Sequence, residues 1–227
     1  MANNDNPGRF IVFEGIDGSG SSTQANLLSE RLIDIGRRPW LTSEPSSGPI
    51  GQLIKLFFSG RVVLPPERDV RDRQFAYLFA ADRFDHLNNP TNGVFKHLAE
   101  GIDVISTRYM FSSLAYNVET DEEEALVQRL NADFPAPDVL IFLECPVELS
   151  IQRMAVSRPT RDTYENRGKL VEVEANYRRI IASYRGRKLV VDASLPRNVI
   201  ADEVFQFVLA TKPSLAEFNR NYLTREH

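Results

Sequence analysis

A short β-forming run, Phe10-Ile-Val-Phe-Glu14, passes straight into the turn Gly15-Ile16-Asp17-Gly18-Ser19-Gly20 and then into Ser21-Ser22-Thr23, where a helical pattern begins. Strand, tight glycine turn and helix start, in that order, read as the opening step of an α/β sheet. The spacing of Gly15 and Gly20, followed by Ser21, Ser22 and Thr23, matches a phosphate-binding loop at every position but one. The glycines let successive backbone N–H groups turn inward on a phosphate, and the helix adds its positive end. Gly15, Asp17, Gly18, Ser19, Gly20, Ser21, Ser22 and Thr23 are therefore the expected cradle for the phosphates of ATP. Ser22 holds the position whose hydroxyl binds Mg²⁺. The departure is Ser21, which stands where such loops carry a lysine on the β- and γ-phosphates. Losing one contact of that kind costs about 10²–10³ in rate unless another cation takes its place.

The remainder of the chain repeats the same alternation. Apolar runs at 10–14, 39–43, 104–107, 139–144 and 189–192 read as strands, several of them apolar almost throughout, as strands covered on both faces are. Between them lie helical patterns at 22–35, 67–87, 122–130, 147–155, 170–184 and 198–209, with a last one after Pro213. In the first of these Leu27, Leu28, Leu32 and Ile35 form the expected buried stripe, and Gly36 the stop. The expected architecture is α/β, a P-loop NTPase fold. It has a five-stranded parallel sheet with helices on both faces, in one domain over 1–227. Residues 157–168 break the pattern with three arginines and Pro159 and no apolar stripe. A mobile loop over an anionic ligand and a plain solvated connection both fit that composition.

Composition narrows the function. A net charge of −4 gives no electrostatic reason to expect a nucleic-acid polymer or an acidic membrane as partner, so any anion must be held by local features. Cys145 is the single cysteine, which forbids an internal disulfide and suits a reducing compartment; it lies in an apolar run, where a small buried thiol is expected. Residues 1–9 lack a basic stretch followed by an apolar one, and no segment is long enough to span a bilayer, so a cytoplasmic protein is expected.

Several separate segments resemble the thymidylate kinases, and the resemblance runs from about residue 10 to residue 209. They are the opening Phe10-Ile-Val-Phe-Glu-Gly-Ile-Asp-Gly-Ser-Gly20, Glu44-Pro45 with Gly48-Pro49-Ile50-Gly51, and Leu78-Phe79-Ala-Ala-Asp-Arg83. Further along come Arg108-Tyr109 continuing through Ser112-Ser113-Leu114-Ala115-Tyr116, then Tyr164-Glu165-Asn166, and Val191-Asp192-Ala193-Ser194. The resemblance implies phosphoryl transfer from ATP to dTMP and a homodimer. It implies that Phe79 stacks on the base and Arg83 hydrogen-bonds it, and that Arg108 holds the acceptor phosphate. It also has Tyr116 crowd the sugar 2′ position, Asp17 sit near the acceptor sugar and phosphate, and Arg153 pack on adenine. Tyr109 and Ser112 belong with Arg108 in the substrate motif.

The residue pattern supports part of this independently. Phe75, Phe79 and Arg83 are four apart on one helix and share a face, and an aromatic surface beside an arginine donor suits a pyrimidine. Core packing for the phenylalanines and a structural ion pair for Arg83 are the competing assignments, and Phe75 is expected in the core. One subgroup of the family supplies basic lid residues to the ATP phosphates while its P-loop carries small ones. With Arg158, Arg161 and Arg167 in 157–168 this chain resembles that subgroup, and Arg158 and Arg161 are the candidate catalytic cations beside Asp17 and Arg108. Two more family charges are neutral here: Thr107 precedes Arg108 where an aspartate is usual, and Ser43 precedes Glu44 where an arginine is usual. A kinase for another nucleotide or deoxynucleoside, and a nucleotide-binding protein without useful catalysis, are the alternative functions.

Overall fold

The computed structural model describes residues 7–157 and 167–213. Five strands, β1 (Phe10–Glu14), β2 (Pro39–Ser43), β3 (Asp103–Thr107), β4 (Val139–Glu144) and β5 (Lys188–Asp192), form one sheet in the order β2-β3-β1-β4-β5, every pairing parallel. The expected strands are all present, β3 and β5 each one residue longer at the start. Every residue of β1 is buried, as are all of β3 and β4 but the last, so these strands do not alternate. Helices cover both faces and leave only the edge strands β2 and β5 partly open.

Nine helices are present among the described residues. The six expected there appear as α1 (Ser21–Asp34), α3 (Arg68–Asn88), α6 (Asp121–Asn131), α7 (Val147–Ser157), α8 (Arg167–Ser183) and α9 (Arg197–Leu209). The pattern missed α2 (Pro49–Phe58), α4 (Val94–Ala99) and α5 (Met110–Tyr116). α2 begins with Pro49 at its first helical position, where proline's missing N–H costs nothing, yet a glycine–proline cluster reads as loop. It lies so close to the preceding loop that a Cβ on Gly51 would fall 2.3 Å from the Ser46 carbonyl oxygen. α6 starts on a reciprocal cap, Thr120 accepting from the Glu123 N–H while the Glu123 carboxylate accepts from the Thr120 N–H.

The stripe expected on α1 was turned by about one position. Its buried residues are Gln24, Ala25, Leu28, Ser29 and Leu32, whereas Ile35 lies beyond the helix and is half exposed. Phe75 is core, as expected, edge-on to Phe57 at 6.0 Å. Cys145 is buried, and burial pushes its thiol pKa up. The helix expected after Pro213 and most of 157–168, with Arg158 and Arg161, lie outside the described residues; of that segment Arg167 and Gly168 open α8.

The amino end of the sheet is fixed by buried charge. Asp103 opens β3, and its carboxylate is gripped by Arg9 from Nε at 3.0 Å and Nη2 at 2.7 Å, and by Arg37 through two bonds of 2.8 Å. Arg9 also reaches the Val208 carbonyl at 2.9 Å and so ties α9 to β1.

Candidate active site

β2 and β3 lie on one side of β1, and β4 and β5 on the other. The carboxyl end of β1 is thus where the strand order reverses, the place where open α/β sheets bind ligands. The turn Gly15–Gly20 leaves the sheet here with positive φ at Gly15 (152°), Gly18 (75°) and Gly20 (99°). Only glycine adopts such angles cheaply, and at Gly18 a Cβ would also sit 2.7 Å from the Ser150 carbonyl oxygen. α7 therefore backs directly onto the turn. Ser150 donates its hydroxyl to the Asp17 carbonyl, and Arg153 spans from Ser19 O (3.1 Å) to Ala193 O (2.8 Å) beyond β5. Gly20 caps α1 without a side-chain bond, and no acidic residue stands in the first turn. The first N–H groups of Ser21, Ser22 and Thr23 keep their dipole unopposed.

Next to this turn is a cavity of about 530 Å³. The structure brings Asp17, Gly18, Ser19, Gly20, Ser21, Ser22, Thr23, Arg108 and Arg153 together around it, and Thr107 joins them. Gly15 lies deeper, below Ser19, and is buried. Phe79, Arg83, Tyr109, Ser112 and Tyr116 are not among the lining residues.

Arg108 is the hub on the β3 side. It takes φ 73°, unusual for a residue with a side chain, and its N–H bonds Phe13 O at 2.8 Å. Its guanidinium donates to Asp17 Oδ1 (2.5 Å), Tyr116 Oη (3.1 Å) and Ser112 Oγ (3.2 Å), and lies 4.8 Å from the Tyr116 ring centre. Burial alone would lower its pKa, but Tyr116, Asp17, Tyr177 and Glu14 outweigh that and hold it well above the ordinary value. Tyr116 also accepts from the Asp17 N–H at 3.3 Å, so one phenol joins the phosphate turn to Arg108. Burial raises the Tyr116 pKa and keeps the phenol protonated.

Beneath Arg108 sits Glu14, fully buried at the end of β1. Its carboxylate accepts from the Tyr109 N–H (2.8 Å), Ser112 Oγ (2.7 Å) and Tyr177 Oη (2.8 Å). Burial raises its pKa, against the opposing pull of Arg108 and these donors. Ser112 thus serves as a link between Glu14 and Arg108. Tyr109 is a core pillar: fully buried, edge-on to Phe10 at 5.1 Å, its hydroxyl donating to Pro135 O at 3.0 Å.

Arg83 is also buried, at 1% exposure. It donates to Glu44 Oε2 from Nε (2.9 Å) and Nη2 (2.6 Å), to Ser113 Oγ (3.2 Å) and to Asn131 Oδ1, and it stacks near Tyr109 and Phe134. In this conformation the guanidinium is in the ion pair that competed with base recognition in the sequence. Phe79 is half buried, 6.3 Å from both Phe58 and Phe75. Glu44 further faces His86, whose other nitrogen meets Thr42 Oγ1 at 2.8 Å, and buried Asp82 accepts from the Ser46 N–H and hydroxyl.

Sequence reasoning missed Glu14, Glu44, Asp82 and Tyr177. Glu14 carried a signal, a carboxylate closing an otherwise apolar strand; Tyr177 carried none, since nothing local distinguishes a core tyrosine from this one. For a divalent ion the cavity offers little protein charge: the Ser22 hydroxyl, and the Asp17 carboxylate already paired with Arg108. Among the described residues no group of three or more His, Cys, Asp or Glu could hold a metal. Such a set fits an ion that arrives bound to nucleotide phosphates and takes one or two protein groups.

The model of the family described as thymidylate kinase matches residues 13–204. The probable thymidylate kinase of Methanococcus aeolicus is 35% identical over 173 residues, 76% of this chain and 79% of the relative. The probable thymidylate kinase of Pyrococcus horikoshii is 37% identical over 171 residues, covering 75% and 80%. The thymidylate kinase of Dinoroseobacter shibae is 35% identical over 204 residues, covering 87% and 95%. With a matching model over most of its length and relatives covered across more than two thirds, this chain belongs to the thymidylate kinase family.

Proposed function

We propose that the chain transfers the γ-phosphoryl group of ATP, with Mg²⁺, to dTMP, giving dTDP and ADP. The observation that carries this is the convergence, on one cavity, of a glycine cradle with an acid-free helix start and a guanidinium fixed on the opposite wall. The cradle suits the donor phosphates. Arg108, held by Asp17, Tyr116 and Ser112, suits the acceptor phosphate, and the two anions are then brought in line without the cost of orienting them in water. The Ser22 hydroxyl would hold the Mg²⁺ that accompanies ATP, which would supply positive charge to the nucleotide phosphates. Arg83 and Phe79 would meet the base if the Glu44 pair opens toward the substrate.

A coupled ADP-release assay with dTMP, dUMP, dCMP and thymidine tests the reading. The expected result is turnover with dTMP well above the others; tight binding of ATP and dTMP without ADP release would sink it. In the same assay the double variant Arg158→Ala/Arg161→Ala should lose turnover with little change in Tm, because lid cations would supply the charge that Ser21 lacks.

The pairing of two copies has its own support. Val70, Tyr77 and Phe84 recur every seven residues along α3, each about half exposed, and α2, packed beside α3, exposes Leu53, Leu56 and Phe58. A stripe of this kind suits a second helix face. Light scattering should give a dimer for the wild type and a monomer for Tyr77→Asp/Phe84→Asp; a monomeric wild type would overturn the pairing. The single buried thiol suits a cytoplasmic setting.

A further inference from the structure

Among the described residues three arginines line the cavity, and two of them are committed. Arg108 is paired with Asp17, and Arg153 with the carbonyls of Ser19 and Ala193. The third, Arg197, opens α9 and is exposed, and its guanidinium makes no hydrogen bond or ion pair to another described residue. We propose that Arg197 is a phosphate contact of the donor nucleotide, supplied from the start of α9 and not from the phosphate loop.

Its placement comes from the sheet. Arg108 follows β3 and Arg197 follows β5, and these strands lie on opposite sides of β1, so Arg197 stands on the donor's side of the cavity. Gln24, in the first turns of α1, donates its side-chain amide to the Arg197 carbonyl at 3.1 Å and holds the start of α9 against the cradle. Gln24 is 4% exposed and lines the same cavity, yet its Oε1 has no partner among the described residues. This end of the cavity therefore presents a free guanidinium, suited to an anionic ligand, beside a buried residue whose amide oxygen is unpartnered among the described residues. Thr23 and Gln24 lie past the Ser21–Ser22 end of the cradle. Arg197 accordingly reaches the part of the polyphosphate nearer the nucleoside, where it strengthens binding of the ground state more than it stabilises the transferring group.

The inference rests on the donor-site reading above, and the full-length chain tests it through ADP titration beside steady-state kinetics. Arg197→Ala should raise Kd for ADP and KM for ATP about tenfold, the worth of one charge-assisted contact, with KM for dTMP and Tm unchanged. Arg197→Lys should recover most of the loss. Unchanged ADP affinity in Arg197→Ala, an equal rise in KM for dTMP, or a lysine variant no better than alanine would each overturn the assignment. The titration needs no turnover. A wild type that binds ADP through Arg197 but transfers nothing to dTMP would therefore sink the acceptor reading and leave this one intact.

Discussion

Arg108→Ala should lower kcat/KM for dTMP about 10³-fold while Tm stays within a few degrees. The guanidinium is the one cation on the β3 wall of the cavity among the described residues, and three side chains aim it. Removing it leaves Asp17 unpaired, but that carboxylate is 59% exposed and water can serve it, and buried Glu14 keeps its bonds from Tyr109, Ser112 and Tyr177. Arg108→Lys keeps a charge without the planar fork that bonds Asp17, Tyr116 and Ser112 together, and should recover only a small part of the rate. The measurement is steady-state kinetics with thermal unfolding on the same preparations. A loss under tenfold would remove Arg108 from the acceptor site, and a collapse of Tm would make its role structural.

Asp103→Asn should have the opposite profile, a loss of about 3–5 kcal/mol in folding free energy with near-normal KM values in whatever fraction stays folded. Its carboxylate is wholly buried between Arg9 and Arg37, and an amide there leaves two guanidinium groups facing one neutral oxygen. Burial pushes the Asp103 pKa up, but the hydrogen bonds from Arg37 and Arg9 outweigh it and hold the carboxyl below the ordinary value of 3.8. A depressed folded pKa means that this stabilisation is complete above the unfolded value and is lost as pH falls through the folded one. Urea unfolding should therefore show the gap between wild type and Asp103→Asn constant from pH 5 to 8 and shrinking below about pH 3.8. A gap that widens in acid would contradict the assignment.

Long-range order was legible wherever local chemistry and tertiary structure agree. The strands were readable because their apolar runs face helices on both sides, and the phosphate turn because its φ values demand glycine at Gly15, Gly18 and Gly20. Reading failed where a residue's partner lies far off in sequence. Arg83 has one chemistry toward a base and another toward Glu44, which is 39 positions away, and no spacing decides between them. Arg197 was hidden for the same reason, since its bond to Gln24 at the cavity joins residues 173 positions apart. α2 was lost to its own start signal, proline after glycine, and the stripe on α1 shifted because Gln24 and Ser29 are buried polar residues that a hydrophobic pattern skips.

Arg153 carries a mechanical consequence. Bonded to Ser19 O on the phosphate turn and to Ala193 O past β5, and backed by the Ser150 hydroxyl on Asp17 O, α7 makes the turn, the helix and the sheet edge one rigid block. These bonds hold the cradle in register with β5. Any part of the enzyme that moves onto a bound nucleotide therefore works against this block as an anvil.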